Sequence, residues 1–320
     1  MTLFITTKNI DYIRNTQEIR MLEAQGKQVD LLYSACKNYP LRMVELYLRL
    51  LFLSVKKYDE IFIGFEPQLI FPFWWWKFRG KPVTIDFFIS VYDTFVNDRK
   101  KLKAGSILAK ISHWVDTVTF QRADHIIVDT KADREYFCKE FGRGDESVEV
   151  LYLDADTSLF YPRKSVRPEK LAGRFVVLYF GSILPLQGVD VILEALKQLK
   201  NDNRFYFYMI GPMGKKVMPV ISNNIEYIEW LPQAQLAEYI SYADLCLAGH
   251  FSGSIDKARR TIPGKAYIYR AMDKPIILGD GAANHELFTE HDEGIFFVTM
   301  GDPTALAKKI VEIKNAETID

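Results

Sequence analysis

The 320-residue chain balances 41 Lys+Arg against 41 Asp+Glu, so no overall basic excess exists to drive nucleic-acid binding. Hydrophobic content of 48% with 26% charged residues is that of a globular chain, and the length suits two domains rather than one core. Three widely spaced cysteines, Cys36, Cys138 and Cys246, fit buried reduced thiols better than a disulfide framework or a zinc site.

The first residues show no basic segment followed by a long apolar one, so no signal peptide is expected. No apolar run reaches the ~18–20 residues of a spanning helix. The longest candidate, residues 41–55, is interrupted by Arg42, Glu45 and Arg49. The expectation is a cytoplasmic protein, soluble or peripheral at the inner face of the cell membrane.

Strand-like and helix-like segments alternate through two rounds. Residues 2–6 predict a strand, followed by a helix to about Gln25 with Gly26 as its C-cap. Strands at 29–33, 60–64 and 81–86 alternate with an amphipathic helix at 41–56 and a helical or irregular stretch at 67–78. A long helix at 106–122, a strand at 123–128, a helix at 131–141 and a strand at 148–153 complete the first round. Residues 161–173, with two prolines and several cations but no apolar period, read as a linker. The cycle restarts with strands at 174–180, 205–210, 225–229 and 244–248, helices at 190–200 and 235–242, and a closing strand at 295–298 with a helix at 304–315. Alternation of this kind predicts parallel sheets covered on both faces, in two doubly wound domains facing across a cleft at the carboxyl ends of their strands.

The stretch from His250 to Leu287 concentrates the chemistry. A polar loop and short helix carry Lys257, Arg259, Arg260 and Lys265, and a buried strand at 274–279 leads into the small-residue turn Gly279-Asp280-Gly281-Ala282-Ala283. Cations facing an uncovered helix start would form an anion site suited to a phosphate or diphosphate. A second turn, Gly181 to Asp190, links a buried strand to a helix; Gly181 and Gly188 permit close backbone approach, and Ser182 and Gln187 can donate to phosphate oxygens. The same turn is equally explained as a tight packing turn. The five histidines show no metal-ligand spacing, so no metal and no cofactor are expected.

In combination these motifs resemble the donor half of retaining GT-B glycosyltransferases of family 4. The likeness is carried by FGSILPLQGVDVILEAL, by WLPQAQLAEYISYADLCLA, and by Lys257-Ala258-Arg259-Arg260-Thr261-Ile262-Pro263-Gly264-Lys265. A bacterial branch with PL[HQ]G and K-A-x-R-x-I-P-x-K is the nearest pattern, and KPVTIDFFISVYDTFVNDR with ADHIIVDT extends the resemblance into the first half. It implies an α/β GT-B fold of two Rossmann-like domains. Residues 1–162 would bind acceptor, 163–173 would be the linker, and 174–300 would bind donor. A C-terminal helix at 301–320 would cross back to the first domain.

The resemblance further implies a metal-independent retaining hexosyltransferase. It would move a hexose from a nucleoside-diphosphate sugar to a glycan or lipid-linked acceptor in bacterial surface polysaccharide assembly; the alternative is a non-catalytic nucleotide-sugar-binding scaffold. The common pattern has arginine and lysine where Ser182 and Gln187 stand, and its paired glutamates fall on Arg260 and Ile268. Cations lost on one side are thus regained on the other, which makes Arg260 and Lys265 the expected phosphate clamp, with Lys257 beside them. Gly281, Ala282, Ala283 and Asn284 match the turn facing the donor sugar. Glu286 is the substitute for the missing ribose-binding carboxylate, and Gly211 and the Trp230-Leu231 segment flank the nucleobase. Asp86 would position the acceptor hydroxyl or else serve as a helix cap. Ser90, Tyr92, Asp93, Asp98 and Arg99 would hold the acceptor, and Arg14 would meet acceptor phosphate or lie on the surface. The aromatic–cationic stretches 70–81 and 41–57 belong either to the core or to a membrane-facing surface.

Overall fold

The computed structural model describes residues 1–214 and 217–316. The chain divides into two compact units, Met1–Asp154 and a second beginning at Ala155, so the division falls earlier than residue 162.

Each unit is built on one six-stranded sheet in which every neighbouring pair is parallel. In the first, β1 (Thr2–Ile5), β2 (Val29–Leu32), β3 (Glu60–Ile63), β4 (Val83–Asp86), β5 (His125–Val128) and β6 (Val148–Val150) run in the order β2-β1-β3-β4-β5-β6. Five helices connect them: α1 (Ile13–Ala24), α2 (Tyr39–Phe52), α3 (Phe71–Trp74), α4 (Ile107–Arg122) and α5 (Lys131–Phe141). Right-handed crossovers put α1 on one face and α2 to α5 on the other. The packing agrees: Leu46, Phe71, Phe120 and Phe137 share one core, whereas Leu22 joins Phe4 and Phe62 in another. Helix starts are fixed by side-chain caps, Asn38 accepting from Leu41 N, Ser106 from Ala109 N and Thr130 from Asp133 N.

The segment expected at 67–78 breaks into three single turns, because Pro67 and Pro72 each remove a helix donor. Its three tryptophans separate accordingly. Trp74 is core, while Trp75 and Trp76 are exposed.

In the second unit, β7 (Phe175–Phe180), β8 (Phe205–Ile210), β9 (Ile225–Ile228), β10 (Leu245–Leu247), β11 (Ile276–Gly279) and β12 (Ile295–Val298) run in the order β12-β11-β10-β7-β8-β9. The helices are α6 (Val189–Leu199), α7 (Gln233–Tyr242), α8 (Lys257–Arg260), α9 (Gly264–Ala271) and α10 (Pro303–Ala316). The expected crossing of the terminal helix back to the first domain is corrected for its described part. Leu306, Ala307, Ile310 and Ile313 of α10 are buried in the same core as Ile192 and Leu196 of α6. Burying each such Leu or Ile stabilises by roughly 1.5–3 kcal/mol, enough to hold α10 to its own sheet. Residues 317–320 lie outside the described residues. The expected linker also packs on the second unit: Leu171 is core, Arg167 pairs with Asp244, and Lys170 pairs with Glu226.

At the carboxyl edge of the first sheet, one buried guanidinium ties three strands together. Arg14 of α1 donates through Nε to Asp86 Oδ2 at 3.0 Å and through Nη2 to Asp86 Oδ1 at 2.8 Å, at the end of β4. Its Nη1 reaches Leu151 O at 2.6 Å and pairs with Asp129 at 2.8 Å, just beyond β6 and β5. Glu18, one turn along α1, lies 3.5 Å away, and among the described residues neither of its oxygens accepts a hydrogen bond. Burial, reinforced by Asp86, holds the Glu18 carboxyl well above its ordinary range. Removing Arg14 would strand a buried carboxylate. Arg14→Ala is therefore expected to lower unfolding free energy by about 3–5 kcal/mol in urea denaturation; a loss below about 1 kcal/mol would show that the pair does not hold the edge.

Candidate functional site

Four adjacent strands of the second sheet run into glycine at or just past their carboxyl ends. Taken across the sheet they are Gly279 on β11, Gly249 after β10, Gly181 after β7 and Gly211 after β8. Three of these positions leave no room for a side chain, Gly279 because a Cβ there would meet His250 O at 2.8 Å. Gly211 has φ +134°, and a Cβ there would lie 2.1 Å from the Gly181 carbonyl oxygen. A Cβ on Gly249, at φ +80°, would meet Gln187 Oε1 at 2.5 Å and Lys265 Nζ at 3.0 Å. The result is a rim bare of side chains, where a ligand can approach backbone directly.

Lys265 faces that rim from the first turn of α9. The side chain is buried, its Nζ donates to Gln187 Oε1, and it lies 4.9 Å from the centroid of the Tyr179 ring. Among the described residues no carboxylate pairs with it. Burial alone pushes its ammonium down to about 7, against 10.5 for an ordinary lysine. His250, at φ +58°, is buried beside it with Nδ1 3.0 Å from Thr261 O; burial and the Lys265 charge depress the imidazole to about 3, so it stays neutral. A buried cation with only neutral partners is costly unless an anion arrives.

Arg260 is the second buried cation. Pro263 separates α8 from α9, so Arg260 and Lys265 sit on different short helices. Arg260 Nε is held by Asp256 at 2.8 Å. Arg259 is exposed and Lys257 half-buried. The helix expected to open after Gly279 is corrected: Asn284–Glu286 forms only a single 3-10 turn. Its amides are mostly spent. Gly281 N donates to Gly279 O, Ala283 N to Arg259 O, and Asn284 N to Gly281 O. The Asn284 side chain likewise donates to Gly279 O at 2.8 Å, leaving its Oδ1 buried without a donor among the described residues. The turn thus clasps the end of α8 instead of presenting an open cradle. Ala282 is exposed and Glu286 half-buried on its outer side.

The first turn of the unit fits this arrangement. Gly188 takes φ +65°, where a Cβ would strike Ser252 N at 2.5 Å, and Gln187 O accepts from Phe251 N. Gln187 therefore serves as the neutral partner of Lys265, and Ser182 is exposed beside it. Beyond Gly211, a pocket of about 460 Å³ is lined by Gly211, Met213, Tyr227 and Glu229. Leu231 is half-buried and Trp230 exposed.

The first-unit candidates are chiefly occupied with holding structure. Asp86 is fully buried with both oxygens on Arg14, so neither residue is presented to a bound molecule; the expected acceptor roles of Asp86 and Arg14 are corrected on that ground. Ser90 is corrected likewise. Its hydroxyl donates to Asp116 of α4, which also accepts from Val91 N and Tyr92 N and so caps the helical turns that follow. Burial raises the Asp116 carboxyl to about 6. Asp93 and Asp98 bound the π-helical turn Asp93–Asp98 and are both buried, Tyr92 packs edge-on against His113, and Arg99 is exposed. Gly249 and Tyr179 were not singled out by sequence, although Gly directly after a buried strand was the available signal.

Residues 174–315 match the family model described as Glycosyl transferases group 1. The chain is 25% identical over 224 residues to a probable glycosyltransferase, WbjE, of Pseudomonas aeruginosa, covering 66% of this chain and 55% of that protein. It is 26% identical over 144 residues to the uncharacterized glycosyltransferase MJ1178 of Methanocaldococcus jannaschii, covering 44% and 39%. The chain thus spans about half, or less, of the length of these curated relatives. Among solved structures, sucrose-phosphate synthase from Thermosynechococcus elongatus superposes with TM-score 0.70 at 13% identity, covering 98% of this chain and 90% of that one. HepE from Anabaena in complex with UDP-glucose superposes with TM-score 0.63 at 14% identity, covering 99% and 91%. The fold is a two-domain α/β fold of the GT-B type.

Two outcomes follow for the rim and its cation. Gly211→Ala is expected to cost about 3 kcal/mol or more in chemical denaturation, since strained backbone and a backbone clash combine there, whereas Gly214→Ala, with nothing within 4 Å of its added carbon, should be neutral. Lys265 binds fewer protons folded than unfolded between pH 7 and 10.5, so its contribution to stability grows as pH rises through that window and is lost as pH falls toward 7. The difference in stability between wild type and Lys265→Met, measured at pH 7 and pH 10, should shift in that direction; an unchanged difference would mean that the ammonium is not desolvated.

Proposed function

We propose that this chain is a retaining glycosyltransferase that moves a hexose from a nucleoside-diphosphate sugar to a glycan or lipid-linked acceptor in bacterial surface polysaccharide assembly. The single observation that carries the reading is the buried ammonium of Lys265, which among the described residues has no carboxylate partner, beside a glycine rim. A diphosphate would supply the missing counter-charge, and Lys265 with Arg260 would meet the charge that develops as it leaves. The family match over the second unit supports a donor-binding role there, and the HepE structures carrying UDP and UDP-glucose make a uridine donor the first to try.

In this mechanism the bond from the sugar's anomeric carbon to the phosphate oxygen breaks and a bond to the acceptor oxygen forms on the same face. The acceptor's proton passes to the leaving phosphate, so no strong protein base is required, in keeping with Asp86 being fully occupied. Side-chain cations take the role that a metal would otherwise fill, so turnover should persist in EDTA. Gly281, Ala282 and Glu286 remain the proposed neighbours of the sugar and ribose, and Gly211 and Leu231 those of the base. The first unit would take the acceptor, with Tyr92, Asp93 and Arg99 the proposed contacts, and a lipid-linked acceptor would bring the protein to the inner leaflet.

A thermal-shift screen against UDP-, GDP- and ADP-sugars is expected to single out one donor. With that donor, Lys265→Ala and Arg260→Ala should each lower kcat/KM by about 10–100-fold or more. Unchanged kinetics in both would reject the clamp. Donor binding with no hydrolysis or transfer, plausible acceptors present, would favour the non-catalytic scaffold, a reading motivated by Ile268 standing where the resembled family has a carboxylate.

A further inference from the structure

The outward side of the α2–α4 helix layer is apolar. On α2, Leu41, Val44, Leu48 and Leu51 recur at helical spacing and are all exposed, while the inward side holds Arg42 with Leu46 and Leu50. A helix that served only to cover its sheet would carry the reverse pattern. The first half of α4 repeats the arrangement with Ile107, Leu108, Ile111 and Trp114, Ile107 being 77% exposed. Trp75 and Trp76 are exposed as well; Arg122, at the far end of α4 from this stripe, sits 4.7 Å from the Trp75 ring centroid, and Tyr47 of α2 packs edge-on against the buried Trp74, so the tryptophan segment touches both helices. In the second unit the exposed large apolar residues, such as Val166, Met218 and Trp230, are scattered by comparison.

Charge selects the occupant. Between Arg99 and Val115 the chain has Lys100, Lys101, Lys103 and Lys110 but no Asp or Glu, and these four lysines are exposed around the α4 stripe. Apolar and indole side chains rimmed by lysine match the headgroup region of an anionic bilayer. A second copy docked through the same face would bring like charges together. The stripe also begins where Ser106 caps α4, in the connection that leaves the carboxyl end of β4, the edge at which an open parallel sheet takes ligands.

We propose that this layer, led by the first turns of α4 and by Lys100, Lys101 and Lys103, docks the protein on an anionic lipid bilayer. The docking deepens the lipid-linked acceptor reading and rests on it for its purpose, though not for its chemistry.

The test is sedimentation of the full chain with phosphatidylcholine vesicles with and without phosphatidylglycerol. Binding is expected only to the anionic vesicles and should weaken with salt. Lys100→Gln/Lys101→Gln/Lys103→Gln should lower the partition coefficient by about fivefold per lysine, roughly 100-fold in all. Ile107→Ser/Ile111→Ser should lower it at least ~10-fold, with an unchanged melting temperature because both side chains are exposed. Failure of the wild type to bind anionic vesicles, or variants that bind as well as wild type, would overturn the proposal. So would a solution dimer that the Ile107→Ser/Ile111→Ser variant dissociates. Loss of vesicle binding with a retained UDP-glucose thermal shift supports it. Absence of a shift with any of the UDP-, GDP- and ADP-sugars even in wild type would count against glycosyl transfer, while vesicle binding would still support docking.

Discussion

The arrangement of the second unit depends on a positive charge taken out of water without a negative one, among the described residues, to meet it. Lys265 is buried against an amide, an aromatic ring and glycine backbone, and an ammonium in such surroundings is held near the edge of losing its proton. Neighbouring features follow from that constraint. Gln187 can only solvate the charge, not neutralise it, and burial, reinforced by the Lys265 charge, keeps His250 uncharged. The glycines leave the volume into which a counter-ion would come.

The first unit meets the opposite situation on another all-parallel six-stranded sheet, of different strand order. Its carboxyl edge also gathers charge, but there Arg14 is saturated by Asp86, Asp129 and the Leu151 carbonyl. One sheet edge is internally balanced and the other is not. Two parallel six-stranded sheets thus differ in how their carboxyl edges hold charge: one surrounds its buried guanidinium with carboxylates, and the other leaves its buried ammonium with an amide partner.

Much of the fold was legible in the sequence because it rests on short-range pattern. Runs such as FVVLYF and FYFYMI can only be buried strands, and the alternation with helices dictates parallel pairing. The cations of the Lys257–Lys265 run were legible too, and two of them are indeed buried. What escaped were pairings across long chain separations. Arg14 reads as a surface residue until Asp86, remote in sequence, is placed against it. The turn after Gly279 reads as an open helix start until the Arg259 carbonyl is seen to occupy its amide. Aromatic composition flagged residues 70–81, but the three tryptophans parted between core and surface only once two prolines had cut the helix. The apolar outer stripe of α4 escaped because a periodic run of Ile, Leu and Trp looks the same whether it faces a sheet or a solvent.

The bare strand ends of the second sheet carry one more implication. Where four adjacent strands reach glycine, recognition of any ligand bound there would fall to peptide dipoles, and ordinary amino-acid replacement cannot retune these without breaking the backbone path. Drift in preference from one small molecule to another would then be confined to residues set back from that margin, Met213 and Glu229 among them. The margin itself would stay a fixed electrostatic template across otherwise divergent descendants.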